Sequence, residues 1–212
     1  MSDFATIKAR IASEMHRGEL SASASAVQAA VLSAIDCYKR RRFYFNEFND
    51  EVATCSSSAT YMSLNRFSVG ILDIDSVKMI ITNRDYPLSK ATWNQLDSVD
   101  AGQFYGYPDY FAIHADKFRF YPPPNAEYEV KVSGVKELTE ISANAAGSAT
   151  NAWVDDAEEM IRYKAKANLF RDHLRDYNSA ERFEMEAQRS YRELRKEVIA
   201  KTSAGKLRPT QF

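Results

Sequence analysis

The segment Ile35-Asp36-Cys37-Tyr38-Lys39-Arg40-Arg41-Arg42-Phe43-Tyr44-Phe45-Asn46-Glu47 changes character halfway, and the fold turns on that change. Upstream, Val27, Val31, Ala34, Ile35 and Tyr38 fall at helical spacing, so a buried helix face leads into it. Lys39, Arg40, Arg41 and Arg42 follow as a basic corner in the last turn, where cations suit the negative end of the helix dipole. From Arg42 the period becomes two. Phe43 and Phe45 fall on one side, and Arg42, Tyr44 and Asn46 on the other, which predicts a strand. Phe43 and Phe45 form a structural aromatic corner, each ring worth about 2–3 kcal/mol if fully buried. A helical layer meets a β layer here.

Before this corner, Phe4, Ile7, Ile11 and Met15 predict a first helix from Asp3 to Arg17, with Gly18 as its stop. Ser21 or Ser23 caps a second helix rich in small residues between Ala22 and Ala30. After the corner, the chain reads as β from Phe43 to Ile141. Strands are expected at Glu51–Ser56, Thr60–Leu64, Val77–Ile81, Tyr110–His114, Lys117–Tyr121 and Tyr128–Val135. Asn83-Arg84-Asp85 reads as a turn, Ser89–Leu96 as a short helix capped by Ser89, and Ala115-Asp116 as a hairpin turn. Pro122, Pro123 and Pro124 cannot donate to a sheet and predict an exposed connection.

Residues 142–150 are rich in Ala, Ser, Asn and Gly and read as a linker. A third helix begins near Asn151, with Trp153, Ala157, Met160, Ile161, Ala165, Leu169 and Leu174 on its apolar side. Asn178 and Glu181 resemble a capping box for a fourth, whose stripe is Ala180, Phe183, Ala187, Tyr191, Leu194 and Val198. Two helix pairs with strands between them predict an α+β chain: a four-helix bundle, residues 1–42 and 151–204, with an inserted antiparallel β domain, residues 43–141. Residues 205–212 form a tail.

The 212 residues carry a net charge of −1, which argues against nucleic-acid binding through bulk charge. No apolar run reaches the roughly 20 residues of a membrane helix, and the start lacks the pattern of a signal peptide. Cys37 and Cys55 lack CxxC spacing and read as small buried hydrophobes made in a reducing compartment. Twelve Tyr and twelve Phe exceed what one core requires, and some suit subunit contacts.

A search for chemistry returns little. His16, His114 and His173 have no metal partner at short helical spacing, and no phosphate loop, nucleophile elbow or Cys–His pattern occurs. Asp155, Asp156, Glu158 and Glu159 have a sufficient explanation in the helix dipole, and Asp73 and Asp75 alternate on a strand. The sequence implies no enzyme and no cofactor. Two features suit partners. The Lys39–Arg42 cluster could meet phosphates or an acidic neighbouring subunit, so a non-specific nucleic-acid-binding module is the alternative reading. The tail residues Lys206, Leu207, Arg208, Pro209 and Phe212 suit a peptide that docks into a partner's groove.

Several stretches together resemble the head–tail connector (adaptor) proteins of phages, and the layout is similar to the tail tubular A-type adaptors. They are Ala34-Ile35 with Tyr38 and Arg42–Glu47; Tyr61–Leu64; Leu88–Leu96; Gly106–Tyr110; Phe118–Tyr128; and Trp153 leading into Ala157–Leu174. Tyr44 stands where relatives carry Trp. The resemblance implies a structural virion protein of the neck, assembled in the host cytoplasm. It implies a dodecameric ring that binds the portal protein, extends the channel for passing double-stranded DNA and offers a platform to the tail protein. It implies no catalysis and no membrane. Such a ring needs two different faces on each subunit that meet head to tail.

Overall fold

A computed structural model describes residues 3–15, 24–99, 104–138 and 152–203. In chain order the first half holds α1 (Phe4–Glu14), α2 (Ala24–Tyr38), β1 (Glu47–Cys55), β2 (Tyr61–Ser63), β3 (Ile71–Ile81), β4 (Arg84–Pro87), β5 (Ser89–Lys90) and α3 (Trp93–Asp97). The second half holds β6 (Tyr110–His114), β7 (Lys117–Tyr121), β8 (Tyr128–Lys136), α4 (Ala152–Asp155), α5 (Glu158–Asp172) and α6 (Tyr177–Ser203). The class is α+β. The chain divides into two compact units: Met1–Asn46 with Leu138–Phe212, and Glu47–Glu137.

In the helical unit, α1 starts where the Asp3 carboxylate accepts from the Thr6 hydroxyl at 2.6 Å and the Thr6 N–H at 2.7 Å; the hydroxyl bond first, then the N–H bond, hold the Asp3 carboxyl below its ordinary pKa. Phe4, Ile7 and Ile11 are then fully buried at helical spacing. The helix stop expected at Gly18 and the caps at Ser21 and Ser23 lie outside the described residues. On α2, Ala26, Val27, Ala30, Val31 and Ala34 are buried, so its small-residue face is spent within the chain's own core. α2 packs on α5, α5 on α6, and α1 against both α2 and α5.

The third helix of the sequence reading is two elements, α4 and α5, broken at Asp156-Ala157. Trp153, Ala157, Met160, Ile161, Ala165 and Leu169 are buried as their spacing predicts. The fourth helix begins at Tyr177, and its cap is Asp176 rather than the Asn178–Glu181 pair. The Asp176 carboxylate accepts from the Ser179 N–H at 3.1 Å and the Ser179 hydroxyl at 2.7 Å.

The corner is not built as a strand. α2 ends at Tyr38, so Lys39–Arg42 lie just past the helix rather than in its last turn, and Tyr44–Asn46 form a 3-10 turn. Asn46 accounts for this. It is fully buried, its Oδ1 accepts from the Phe43 N–H at 2.8 Å, and its Nδ2 donates to the Arg41 carbonyl at 2.8 Å. Side-chain bonds of this kind compete with a sheet ladder for the same backbone groups. Pairing begins only at Glu47. Phe43 and Phe45 still face the same way, stacked with ring centroids 5.0 Å apart, and both meet Trp153 edge-on at 5.4 and 5.3 Å.

The β unit holds two four-stranded sheets, ordered β1-β8-β3-β4 and β2-β7-β6-β5. The first is antiparallel throughout. The second is mixed, because β5 pairs with β6 in parallel, where an antiparallel domain was expected. Phe48, Val77, Met79, Val130 and Val132 share one core with Met62, Phe111, Phe118 and Phe120. Thr82 and Asn83 take positive φ values of 50° and 60° and make the turn, so Arg84 and Asp85 belong to β4. Ser89 is in a strand, and the short helix is capped by Thr92 in a capping box with Gln95.

Pro122, Pro123 and Pro124 are buried, not exposed. They lack N–H groups, yet the Pro123 carbonyl accepts from Gly106 at 3.0 Å and the Pro124 carbonyl from Ser58 at 2.8 Å, so the rings bury without orphaning polar atoms. Cys55 is buried as expected, but Cys37 is exposed.

Gly134 sits on the central strand β8, opposite Phe48 on one side and Ile74 on the other. A Cβ there would fall on the Asp73 carbonyl oxygen, at a register shift in β3. Gly134→Ala is expected to destabilise the protein by about 1–3 kcal/mol through overpacking, measured as a lower urea midpoint; an unchanged midpoint would show that β3 yields freely. Asn46→Ala strands the Phe43 N–H and the Arg41 carbonyl and is expected to cost about 1–3 kcal/mol. Equal wild-type and Asn46→Ala unfolding curves would show that the aromatic rings alone hold the turn.

Candidate functional site

Among the described residues, no group of three or more His, Cys, Asp or Glu side chains is placed to hold a metal ion. His114, on β6, lies against Trp93 with ring centroids 5.3 Å apart, and His173 ends α5 at the surface; His16 lies outside the described residues. The Asp73 carboxylate accepts from the Ile74 N–H at 2.9 Å, a local backbone bond. No helix among the described residues is long and apolar enough to cross a membrane.

The basic corner is only partly open to a partner. Lys39 reaches Asp36 at 3.0 Å. Arg41 donates to the Tyr191 hydroxyl at 3.2 Å and lies over that ring, 5.1 Å from its centroid. Arg40 and Arg42 are exposed. The tail residues Lys206, Leu207, Arg208, Pro209 and Phe212 lie outside the described residues.

The fold joins Arg41 to residues far along the chain. Between the end of α2 and the flanks of α5 and α6 runs a groove of about 400 Å³, with Tyr38 and Tyr191 as its aromatic wall and Arg41, Lys164, Arg192 and Arg195 around it. The two tyrosine rings stack at 5.7 Å. Glu184 is the one carboxylate lining the groove, and it holds Lys164 at 2.7 Å. Burial pushes the Tyr38 phenol up to about 12, Glu184 adds to that rise, and Arg41 works against it.

A second, smaller groove of about 220 Å³ runs along the other flank of α6, toward the start of α5. Among the described residues it is lined by Asp156, Glu159, Glu193 and Glu197 with Met160 and Leu194 and by no basic side chain. The Tyr44 hydroxyl donates to Asp156 at 2.8 Å. Burial, then that bond and the nearby carboxylates Asp156 and Glu197, push the Tyr44 phenol up to about 12.

Sequence reading found Arg41 but not Lys164, Arg192 or Arg195, because it read their two helices for apolar stripes alone. The signal was present in the 3.6-residue period. Gln188, Arg192 and Arg195 fall on one side of the stripe Ala187–Tyr191–Leu194, and Glu193 and Glu197 on the other.

The β unit carries its own cluster. Arg119 is 5% exposed, lies within 5.8 Å of the Tyr61 ring centroid and 5.5 Å of Trp93, and bonds Asp97 at 2.5 Å. Tyr61 stacks on Trp93 at 5.7 Å. This arrangement ties α3 to β2 and β7. Around it Tyr61 and Tyr110 remain about half exposed, with Phe104, Tyr105 and Tyr107 on the preceding loop also exposed.

No curated protein matches the chain. The model of the SU10 adaptor protein family matches residues 2–210, nearly the whole sequence. That match agrees with the resemblance read from the residues. The chain belongs to the SU10 adaptor protein family and is a structural component of the phage head–tail connection.

Proposed function

We propose that this protein is a ring-forming subunit of the virion neck. It binds the portal protein, extends the channel for double-stranded DNA and presents a platform to the tail protein. The observation that carries this reading is the family match over residues 2–210. A dodecamer in the neck, assembled in the host cytoplasm, completes the proposal. In it α1, α2, α5 and α6 act as a four-helix bundle, the β domain is its insert, and Lys206–Phe212 dock into a groove of the portal or the neighbouring subunit.

Two physical features support a role in assembly. Phe104, Tyr107, Tyr110 and Tyr177 leave large apolar or amphipathic surface in solvent, which suits contact with other chains. The net charge of −1 gives no bulk attraction to DNA, as befits a wall past which DNA must slide.

Mixing the purified protein with its cognate portal and imaging the product by electron microscopy tests the reading. A continuous ring of this chain on the portal is expected, and virions in which it occupies no position at the portal vertex would overturn the proposal. Removing Lys206–Phe212 is expected to leave the circular dichroism spectrum unchanged and to abolish attachment. Attachment of the truncated chain at wild-type levels would remove the tail from the docking role.

A further inference from the structure

The two grooves on α6 differ in sign, and they flank the same buried stripe. On one side Arg41, Lys164, Arg192 and Arg195 face a single carboxylate, Glu184. On the other, Asp156, Glu159, Glu193 and Glu197 line the groove with no basic side chain among the described residues beside them, and Glu193 also reaches Arg189 at 3.4 Å along the exposed back of the helix. Arg192 and Glu193 are adjacent in sequence, yet a step of one residue turns the helix by about 100° and separates them onto opposite flanks. Arg192, Arg195, Glu193 and Glu197 are all exposed. Each groove also has an apolar or aromatic wall: Tyr38 and Tyr191 in the basic one, Met160 and Leu194 in the acidic one.

We infer that the basic groove of one copy receives the acidic flank of the next, with Arg192 and Arg195 meeting Glu193 and Glu197 of the adjacent copy. The inference rests on the ring reading and adds to it the surfaces, their sense and the residues. The occupant is a second copy of this chain because the charge the basic groove calls for is carried by the same helix, on its other flank. A head-to-tail contact needs two different, mutually complementary faces on one subunit. Opposite potentials steer encounter and fix which faces meet, while like-signed faces repel and prevent the reversed pairing. The aromatic and Met-lined walls supply apolar contact, and the charges around them set direction.

Charge reversal tests this in full-length protein. The variants are Arg192→Glu/Arg195→Glu and Glu193→Arg/Glu197→Arg, both at exposed positions, with circular dichroism and thermal melting showing that each folds. Assembly is read as oligomer mass by sedimentation and as ring occupancy on the cognate portal. Each variant alone is expected to lose assembly by about tenfold or more, since like charges then face each other. Mixing the two variants is expected to restore it, because each then offers the face the other lacks. The fourfold variant carrying both reversals is expected to assemble by itself, and raised salt to weaken the wild-type contact.

The outcomes separate the two proposals. If wild-type protein forms no oligomer in solution or on the portal, the ring reading falls and this contact falls with it. If wild-type assembles and the reversal variants assemble equally, the ring stands and the contact is wrong. If both variants fail and neither mixing nor the fourfold variant restores assembly, the faces do not meet each other. Salt-sensitive binding of a duplex oligonucleotide that disappears in Arg192→Glu/Arg195→Glu, with assembly intact, would assign the basic groove to phosphates and overturn the inference.

Discussion

The helical unit depends on the contact of Phe43 and Phe45 with Trp153. The first two rings arrive from the N-terminal helices, and the indole from the segment after the β unit. Edge-on aromatic pairs add about 0.5–1.5 kcal/mol each beyond the area they bury. Tyr191 joins the same cluster through Phe43, at 5.9 Å, which brings in the last helix. Three segments of sequence therefore converge at Phe43, which has no exposed surface. Asn46 sets the angle at which those rings enter. Its amide satisfies backbone groups that a strand would have bonded, and so it fixes where the helical unit stops and the sheet starts.

The same helix that closes this core also divides the surface. α6 has 27 residues and is roughly 40 Å long. Its buried stripe takes only part of the circumference, with Arg192 and Arg195 on one flank and Glu193 and Glu197 on the other. Pairs such as Arg189 with Glu193, at 3.4 Å and exposed, add little to stability. The placement of like charges on one flank is therefore poorly accounted for by folding, because like charges four residues apart, such as Glu193 and Glu197, destabilise an isolated helix by a few tenths of a kcal/mol. Segregated charge does shape what approaches each flank.

Much of the architecture was legible from period alone. Phe4, Ile7 and Ile11 on α1, and Met160, Ile161 and Leu169 on α5, lie in the core as their spacing requires. The hairpin at Ala115-Asp116 was readable from the strand patterns of Tyr110–His114 and Lys117–Tyr121 on either side, and its two turn residues take φ of 46° and 58°. The misreadings share a cause, which is side chains or carbonyls serving backbone groups distant from the obvious pattern. Phe43–Phe45 looked like a strand because two residues of alternation are common to a strand and to stacked rings in a tight turn. Ser89 looked like a cap, but Thr92, three residues later, had the Gln95 partner needed for a capping box. The proline run looked exposed because missing donors were counted and available carbonyls were not. Of the candidate site, Arg41 was visible in a run of cations, while Lys164, Arg192 and Arg195 are brought to it only by tertiary packing.

The chain enters the β unit on β1 and leaves it on β8, and these strands are hydrogen-bonded neighbours, with Glu47 opposite Val135. Entrance and exit are therefore side by side. Everything between them is one closed excursion of the chain, so the segment could be lengthened, trimmed or exchanged over evolutionary time without relocating the splice points. A lineage built this way can exchange what lies between those two strands while the helical unit keeps its packing.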